Sequence, residues 1–381
     1  MNRTRIAALL VLAAVVPGLL AAQSDQEPWR DSYYPMISYS GNDGVALGFR
    51  YIWTQRAGFD APYFNKGAIL TDLSVSASGS YNAAIRLKAP GLRRNWRFDL
   101  TASAAKQSRF AFYGLGEATS YHADSVTDDQ RYYYKVRRAQ LQAKGEVSRR
   151  LIGQWWLTGM AQWKTTDFTD LPGPSIFDDR FGPSLSETDA VGRIGLVYDS
   201  RNNDYDTHRG LLLDAGVIHG TGDGNGYDRW VVEGRAWVPF GEWNSTWLAT
   251  RVVASAATGD VPLDARFSLP VWEGQVRVLG GAESHRGMLD QRFVGRALLF
   301  GNLTLHHDLF NAGGLMAGGV TAFADMGRVF ENDEFSLTTE GMQFGAGGGV
   351  YFRLLQTGVY TFNVASGPDG FVFTLGNGWM F

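Results

Sequence analysis

Val45, Leu47, Phe49, Tyr51 and Trp53 alternate with Ala46, Gly48 and Arg50, and this period of two recurs along most of the chain. A strand turns successive side chains to opposite faces, so each such run has one apolar face and one small or polar face. Ile69, Leu73, Val75 and Ala77 stand against Asp72, Ser74, Ser76 and Ser78 in the same way. Trp96, Phe98, Leu100 and Ala102 stand against Arg97, Asp99, Thr101 and Ser103. The chain is 45% hydrophobic, yet after residue 22 no apolar stretch approaches the roughly 20 residues that a spanning helix needs. Two folds accept such a pattern: a soluble sandwich with its apolar face inward, or a membrane barrel with that face outward.

Two features favour the barrel. The non-apolar positions are often Gly, Ser or Ala, which suit a lumen. Aromatic residues also mark many strand ends (Trp53, Tyr81, Trp96, Tyr113, Trp155, Trp156, Tyr198, Trp230, Trp247), as in the girdles at a membrane interface. About 16 strand-like runs fit between residues 36 and 381, an even number that leaves both ends of a bacterial barrel in the periplasm. Residues 114–130, 167–189 and 258–290 then form long external connections, and 148–152, 239–245 and 310–314 short periplasmic ones. The connection 54–66 is longer than a periplasmic turn usually is. The fold class expected is therefore all-β, a single 16-stranded antiparallel transmembrane barrel.

The first residues form a targeting segment. Arg3 and Arg5 precede an apolar region from Ile6 to Leu20, and Ala21-Ala22 offers small residues for cleavage. The expected organisation is a signal peptide over 1–22, a periplasmic tail over 23–34 and a barrel over 35–381. At the other end Phe371, Phe373, Leu375, Trp379 and Phe381 are expected on one face of a last strand. A terminal aromatic with this period resembles the signal that outer-membrane barrels present to their assembly machinery, with Phe373, Trp379 and Phe381 as its carriers.

Several chemistries find no support. With no cysteine there is no disulfide, thiolate metal site or cysteine nucleophile, and a formal net charge of −3 without a basic patch gives nucleic acid no footing. His306 and His307 are neighbours in a strand and point to opposite faces. His122, His208, His219 and His285 belong to different loops, and no Ser-His or Asp-His arrangement emerges, so no enzyme, cofactor or metal is expected. The acidic turn from Asp199 to Asp204 lacks a calcium-ligand spacing, and the glycine-rich Gly220–Gly226 opens no helix that would make it a phosphate loop. Phe112-Tyr113-Gly114-Leu115-Gly116-Glu117 reads as an interfacial aromatic anchor followed by a glycine turn.

One loop stands out. Gly280-Gly281-Ala282-Glu283-Ser284-His285-Arg286-Gly287 places an arginine beside a glycine, where an exposed loop needs neither, and this suggests a loop that folds inward. A cation inside a barrel needs an acidic partner, because an unpaired charge away from water is costly; Asp325, on one face with Thr321 and Phe323, is a candidate. This stretch, together with Gly301-Asn302, Phe323-Ala324-Asp325-Met326-Gly327, Gly345-Ala346-Gly347-Gly348-Gly349-Val350 and the terminal Phe381, resembles the bacterial surface antigen superfamily, the outer-membrane barrels of the BamA and TamA type. The resemblance is specific from about residue 190 to 381.

It implies that Arg286, flanked by Gly287 and Glu283, anchors an inward-folded external loop to a lumenal Asp325. It also implies assistance in inserting or translocating a polypeptide, or lipid, at the outer membrane. Its partners would be outer-membrane lipid and lipopolysaccharide, the barrel assembly machinery and a polypeptide client. A separate periplasmic partner is also expected, since the short tail leaves no room for the POTRA domains of inserting members. The family often has an acidic residue and then an arginine after the Gly-Asn matched here by Gly301-Asn302, and Thr304 and His306 occupy nearby positions. The alternative is a passive pore or structural surface barrel plugged by loop 258–290.

Overall fold

The alternating faces make a sheet whose apolar side chains look outward. A computed structural model describes residues 28–381 except 41, 58–60, 62, 241–244, 313–314, 332–334 and 355–357. The expected signal segment 1–22 lies outside the described residues. One antiparallel sheet of 16 strands follows the order of the sequence. Its first half comprises β1 (Arg30–Ser40), β2 (Gly44–Arg56), β3 (Asn65–Ser76), β4 (Tyr81–Arg93), β5 (Trp96–Ala111), β6 (Lys135–Arg150), β7 (Trp155–Thr169) and β8 (Ser184–Asp199). β9 (Gly210–Gly220), β10 (Tyr227–Phe240) and β11 (Thr246–Gly259) continue it. A separate hairpin, β12 (Ser268–Val271) with β13 (Gly274–Arg277), interrupts the order. The sheet resumes with β14 (Ala297–Ala312), β15 (Met316–Phe330), β16 (Gln343–Leu354), β17 (Gly358–Gly367) and β18 (Gly370–Asn377).

The arrangement is a barrel with its burial inverted relative to a soluble sandwich. On β8, Ile194 and Leu196 are exposed to the lipid side, whereas Val191, Arg193 and Val197 are buried inward. Val217, Val232, Val252 and Val350 repeat the exposed apolar row on other strands. No helix among the described residues is long and apolar enough to cross a membrane. β1 begins at Arg30, well inside the stretch expected to be a tail, because its ladder with β2 extends to Arg30 opposite Thr54. Pairing with the neighbour, not the strand's own weak alternation, sets that boundary.

The C-terminus departs from its expected face. Phe371, Phe373 and Leu375 are exposed on the outside, but β18 ends at Asn377 and Gly378 adopts φ 108°. That left-handed conformation favours glycine and turns the chain inward. Trp379 and Phe381 then pack with Trp237, Trp247, Trp272 and Tyr351 in the lumen. Strict alternation failed here because a single glycine reversed the face. The Phe112-Tyr113 pair is likewise not an interfacial anchor: both rings are buried, Phe112 against Phe177, Phe181 and Phe267 and Tyr113 against Tyr121 and Tyr134.

Candidate functional site: a loop pinned inside the barrel

The connection between β11 and β14 enters the lumen and is held at several heights. Near the external rim Asp264 meets Arg138 at 2.5 Å and also pairs with Lys164, so β6 and β7 grip the loop together. Burial pushes the Asp264 carboxyl up, but the pull of the two cations outweighs it and holds the group down at about 2. From there the β12–β13 hairpin descends. At its tip the Trp272 N–H donates to Asp214 at 2.7 Å, and Asp214 also pairs with Arg193 of β8. The Trp272 indole donates to Ser148 Oγ at 2.9 Å and the Glu273 N–H donates to Glu146. Ser148 lies two residues from the end of β6, so the tip reaches the periplasmic end. Arg97 closes the contact, 2.7 Å from Glu273.

The returning limb carries the expected anchor. Arg286 Nε and Nη2 donate to the two oxygens of Asp325 at 2.9 and 2.7 Å, and the Arg286 backbone N–H donates to Asp325 Oδ2 at 2.9 Å. Such a two-pronged guanidinium–carboxylate contact fixes orientation as well as distance. Nη2 also donates to Thr304 Oγ1 at 3.0 Å, and the guanidinium lies 3.6 Å from the centre of the Phe323 ring. Asn302 extends the network, donating to Asp325 Oδ1 at 2.8 Å and to the Ser284 carbonyl at 2.6 Å. Thr304 therefore takes a share of the guanidinium's hydrogen bonding.

Gly287 lies against the wall with almost no clearance. A Cβ on it would meet the Ser366 carbonyl at 3.0 Å, Gly367 Cα at 3.1 Å and Gly345 Cα at 3.3 Å, all backbone of β16 and β17. The glycines on the strands and on the loop are two sides of one contact. Glu283 is not part of it. Its side chain is largely exposed and pairs with Arg277 within the loop at 2.8 Å, while its carbonyl accepts from Arg251. Phe373 faces outward, and Trp379 donates its indole N–H to Asp206 at 3.0 Å inside the periplasmic mouth.

Sequence reasoning missed Arg251, which donates to Asn302 Oδ1 at 3.0 and 2.8 Å and holds the network from β11. It also missed Arg193, Asp214 and Glu146 beneath the hairpin tip. The available signal was a charge at an inward position of an otherwise apolar strand, as in Val191-Gly192-Arg193-Ile194 and Leu213-Asp214-Ala215. His285 is buried in the loop, but His306 and His208 meet on the Trp247 ring at 4.8 and 4.0 Å, and, against expectation, two Asp–His contacts form, His208 with Asp206 at 3.1 Å and His219 with Asp228 at 2.9 Å. Among the described residues no cluster could hold a metal ion. The arrangement holds the loop in the lumen through paired charges.

The Omp85 superfamily domain profile matches residues 53–378. No curated protein sequence matches the chain. Among solved structures, BamA from Haemophilus ducreyi lacking POTRA domains 1-3 superposes with TM-score 0.59 at 13% identity, covering 92% of this chain and 70% of that one. CdiB from Escherichia coli superposes with TM-score 0.59 at 14% identity, covering 93% of this chain and 62% of that one. CdiB from Acinetobacter baumannii gives 0.53 at 12% identity, with 93% and 60% covered. The chain thus spans roughly three-fifths of the two CdiB chains.

Proposed function

Because the chain belongs to the Omp85 superfamily, we propose that this outer-membrane barrel assists the insertion of polypeptide into the membrane or its translocation across it. The observation that carries this reading is the end of the sheet. β1 and β18 are the terminal strands of the order, and among the described residues no ladder joins them. An unsatisfied strand edge templates pairing with an incoming strand. The lumen beside it is occupied by a loop held through Arg286 and Asp325, so a client's route is at the seam rather than down the axis. This role needs alignment of strands and no covalent catalyst. The assembly machinery, outer-membrane lipid and lipopolysaccharide are the surroundings in which it operates, and Phe373 lies on the outer face of the strand that meets them.

The test is quantitative proteomics of the outer membrane and culture medium after deletion of the gene, with wild-type and Arg286→Ala complementation at matched barrel levels. Selective loss of one or a few β-proteins or secreted proteins, restored by wild type and not by Arg286→Ala, is the expected result. An unchanged proteome would sink the proposal in favour of a plugged structural barrel or pore.

A further inference from the structure

The loop fills only part of the lumen. A cavity of ≈ 900 Å³ remains, bordered by the inner faces of β2–β8, by Tyr227 and Arg229 of β10 and by the loop itself. A smaller one of ≈ 300 Å³ lies at the periplasmic mouth against Trp379 and Phe381. Lys88 and Tyr205 line both, so the two spaces adjoin across these side chains.

The larger cavity is walled by nine lysines and arginines and only three carboxylates. Much of the compensating charge sits behind the cations. Asp99 holds Arg86 at 2.7 Å, Glu146 holds Lys144 at 3.3 Å and Asp264 holds Lys164, yet none of these acids lines the cavity. A solute in the cavity meets the cations first. Three make no direct pair: among the described residues Lys88, Lys106 and Arg229 have no carboxylate within ion-pair distance, although Asp99, Asp204 and Glu273 share the smaller cavity with Lys88, and Arg229, 4% exposed, donates only to the Ala265 carbonyl and leaves its Nε unpartnered. Burying a cation without a carboxylate is unfavourable unless something else neutralises it. Ser103, Asn82, Gln142 and Gln162 add neutral hydrogen-bonding groups to the same wall.

We propose that this cavity binds a soluble phosphate-bearing anion that enters from the periplasmic mouth past Lys88. Phosphate oxygens accept several hydrogen bonds at once, from point-charge lysines and planar guanidinium groups alike. Apolar side chains such as Leu70, Val75 and Phe267 are interleaved with these polar groups, and comparison with a short-chain phosphatidic acid distinguishes a free anion from a lipid headgroup. The proposal is independent of polypeptide insertion, since it concerns the lumen and not the strand edges.

The test uses the purified full-length barrel in detergent and sodium pyrophosphate as the probe, titrated calorimetrically at constant ionic strength. Wild type is expected to bind saturably. Lys88→Gln/Lys106→Gln/Arg229→Gln is expected to bind at least about tenfold more weakly, as the loss of charge-assisted hydrogen bonds implies. Lys88→Gln alone should fall between them and Lys88→Arg close to wild type. In planar bilayers pyrophosphate added on the periplasmic side should reduce any chloride conductance of wild type and not of the triple variant. No saturable binding by wild type, or equal binding by the triple variant, overturns the proposal. Tighter binding of a short-chain phosphatidic acid than of pyrophosphate overturns the choice of a soluble anion. If the triple variant loses heat-modifiable migration, Lys88→Gln against Lys88→Arg decides.

Discussion

Replacing Arg286 by alanine removes both guanidinium contacts to Asp325, the bond to Thr304 and the contact with the Phe323 ring. Asp325 is 1% exposed and keeps only the Asn302 amide and the backbone N–H of residue 286. Stripping one partner from a buried ion pair costs about 3–5 kcal/mol, because the other charge stays buried. The cost falls on the returning limb of the loop, since Trp272, Asp264 and Arg193 hold the descending limb independently. At about 1.4 kcal/mol per decade, opening of that limb should rise roughly a hundredfold to several thousandfold.

Hydrogen exchange in lipid vesicles reads this directly. The amides of Gly281, Met288 and Phe293, bonded to His285, His285 and Leu279 carbonyls among others, should lose protection in Arg286→Ala while the Trp272 amide keeps its own. Arg286→Met/Asp325→Leu, which removes both charges, should be less destabilised than the two single changes added together, since neither partner is left unpaired. Unchanged exchange in Arg286→Ala, or strict additivity in the double variant, would refute the reasoning.

Three other outcomes are expected. Gly287→Ala forces a methyl against the backbone of Ser366, Gly367 and Gly345 and should cost about 1–3 kcal/mol, read as a lower heat-modification temperature; an unaffected temperature would show that the loop can shift. Asp264 has a folded pKa of about 2, below the ordinary value of about 3.9, so its contribution is present above pH ~4 and is lost as pH falls through about 2. Asp264→Asn should therefore lower stability at pH 5 by an amount on the order of 2–3 kcal/mol that shrinks in strong acid; a gap independent of pH would contradict the pairing with Arg138 and Lys164. The natural chain has no cysteine, so Phe373→Cys and Phe381→Cys carry one thiol each. A lipid-dissolved maleimide should label the first and a water-borne one the second, and identical labelling would contradict the inward turn at Gly378.

The barrel was legible because lipid on one side and a filled lumen on the other impose the same period of two on every strand, as Ile194, Leu196 and Arg193 show within five residues. The Arg286–Asp325 contact was approachable because the loop and the Phe323–Gly327 stretch resemble the motifs of a known barrel family; the charge argument alone asked for a lumenal acid and pointed to no particular one. Less was legible where a contact has no local signature. Glu283 sits three residues from Arg286 yet faces Arg277, because the loop backbone turns at residues 282–284. Arg251, Arg193 and Asp214 looked like isolated charges until β11, β8 and β9 were brought to the loop.

By itself the sequence determined most of the wall strands, their approximate number and, once the aromatic girdles favoured a membrane, which side of most of them meets lipid, since those follow from alternation between neighbours in the chain. Tertiary structure alone decided how deep the β12–β13 hairpin goes, which charges close on it, and that Trp379 and Phe381 turn into the lumen rather than toward the membrane. These depend on residues far apart in sequence meeting at one height in the barrel, and on a single glycine conformation. No periodicity encodes either.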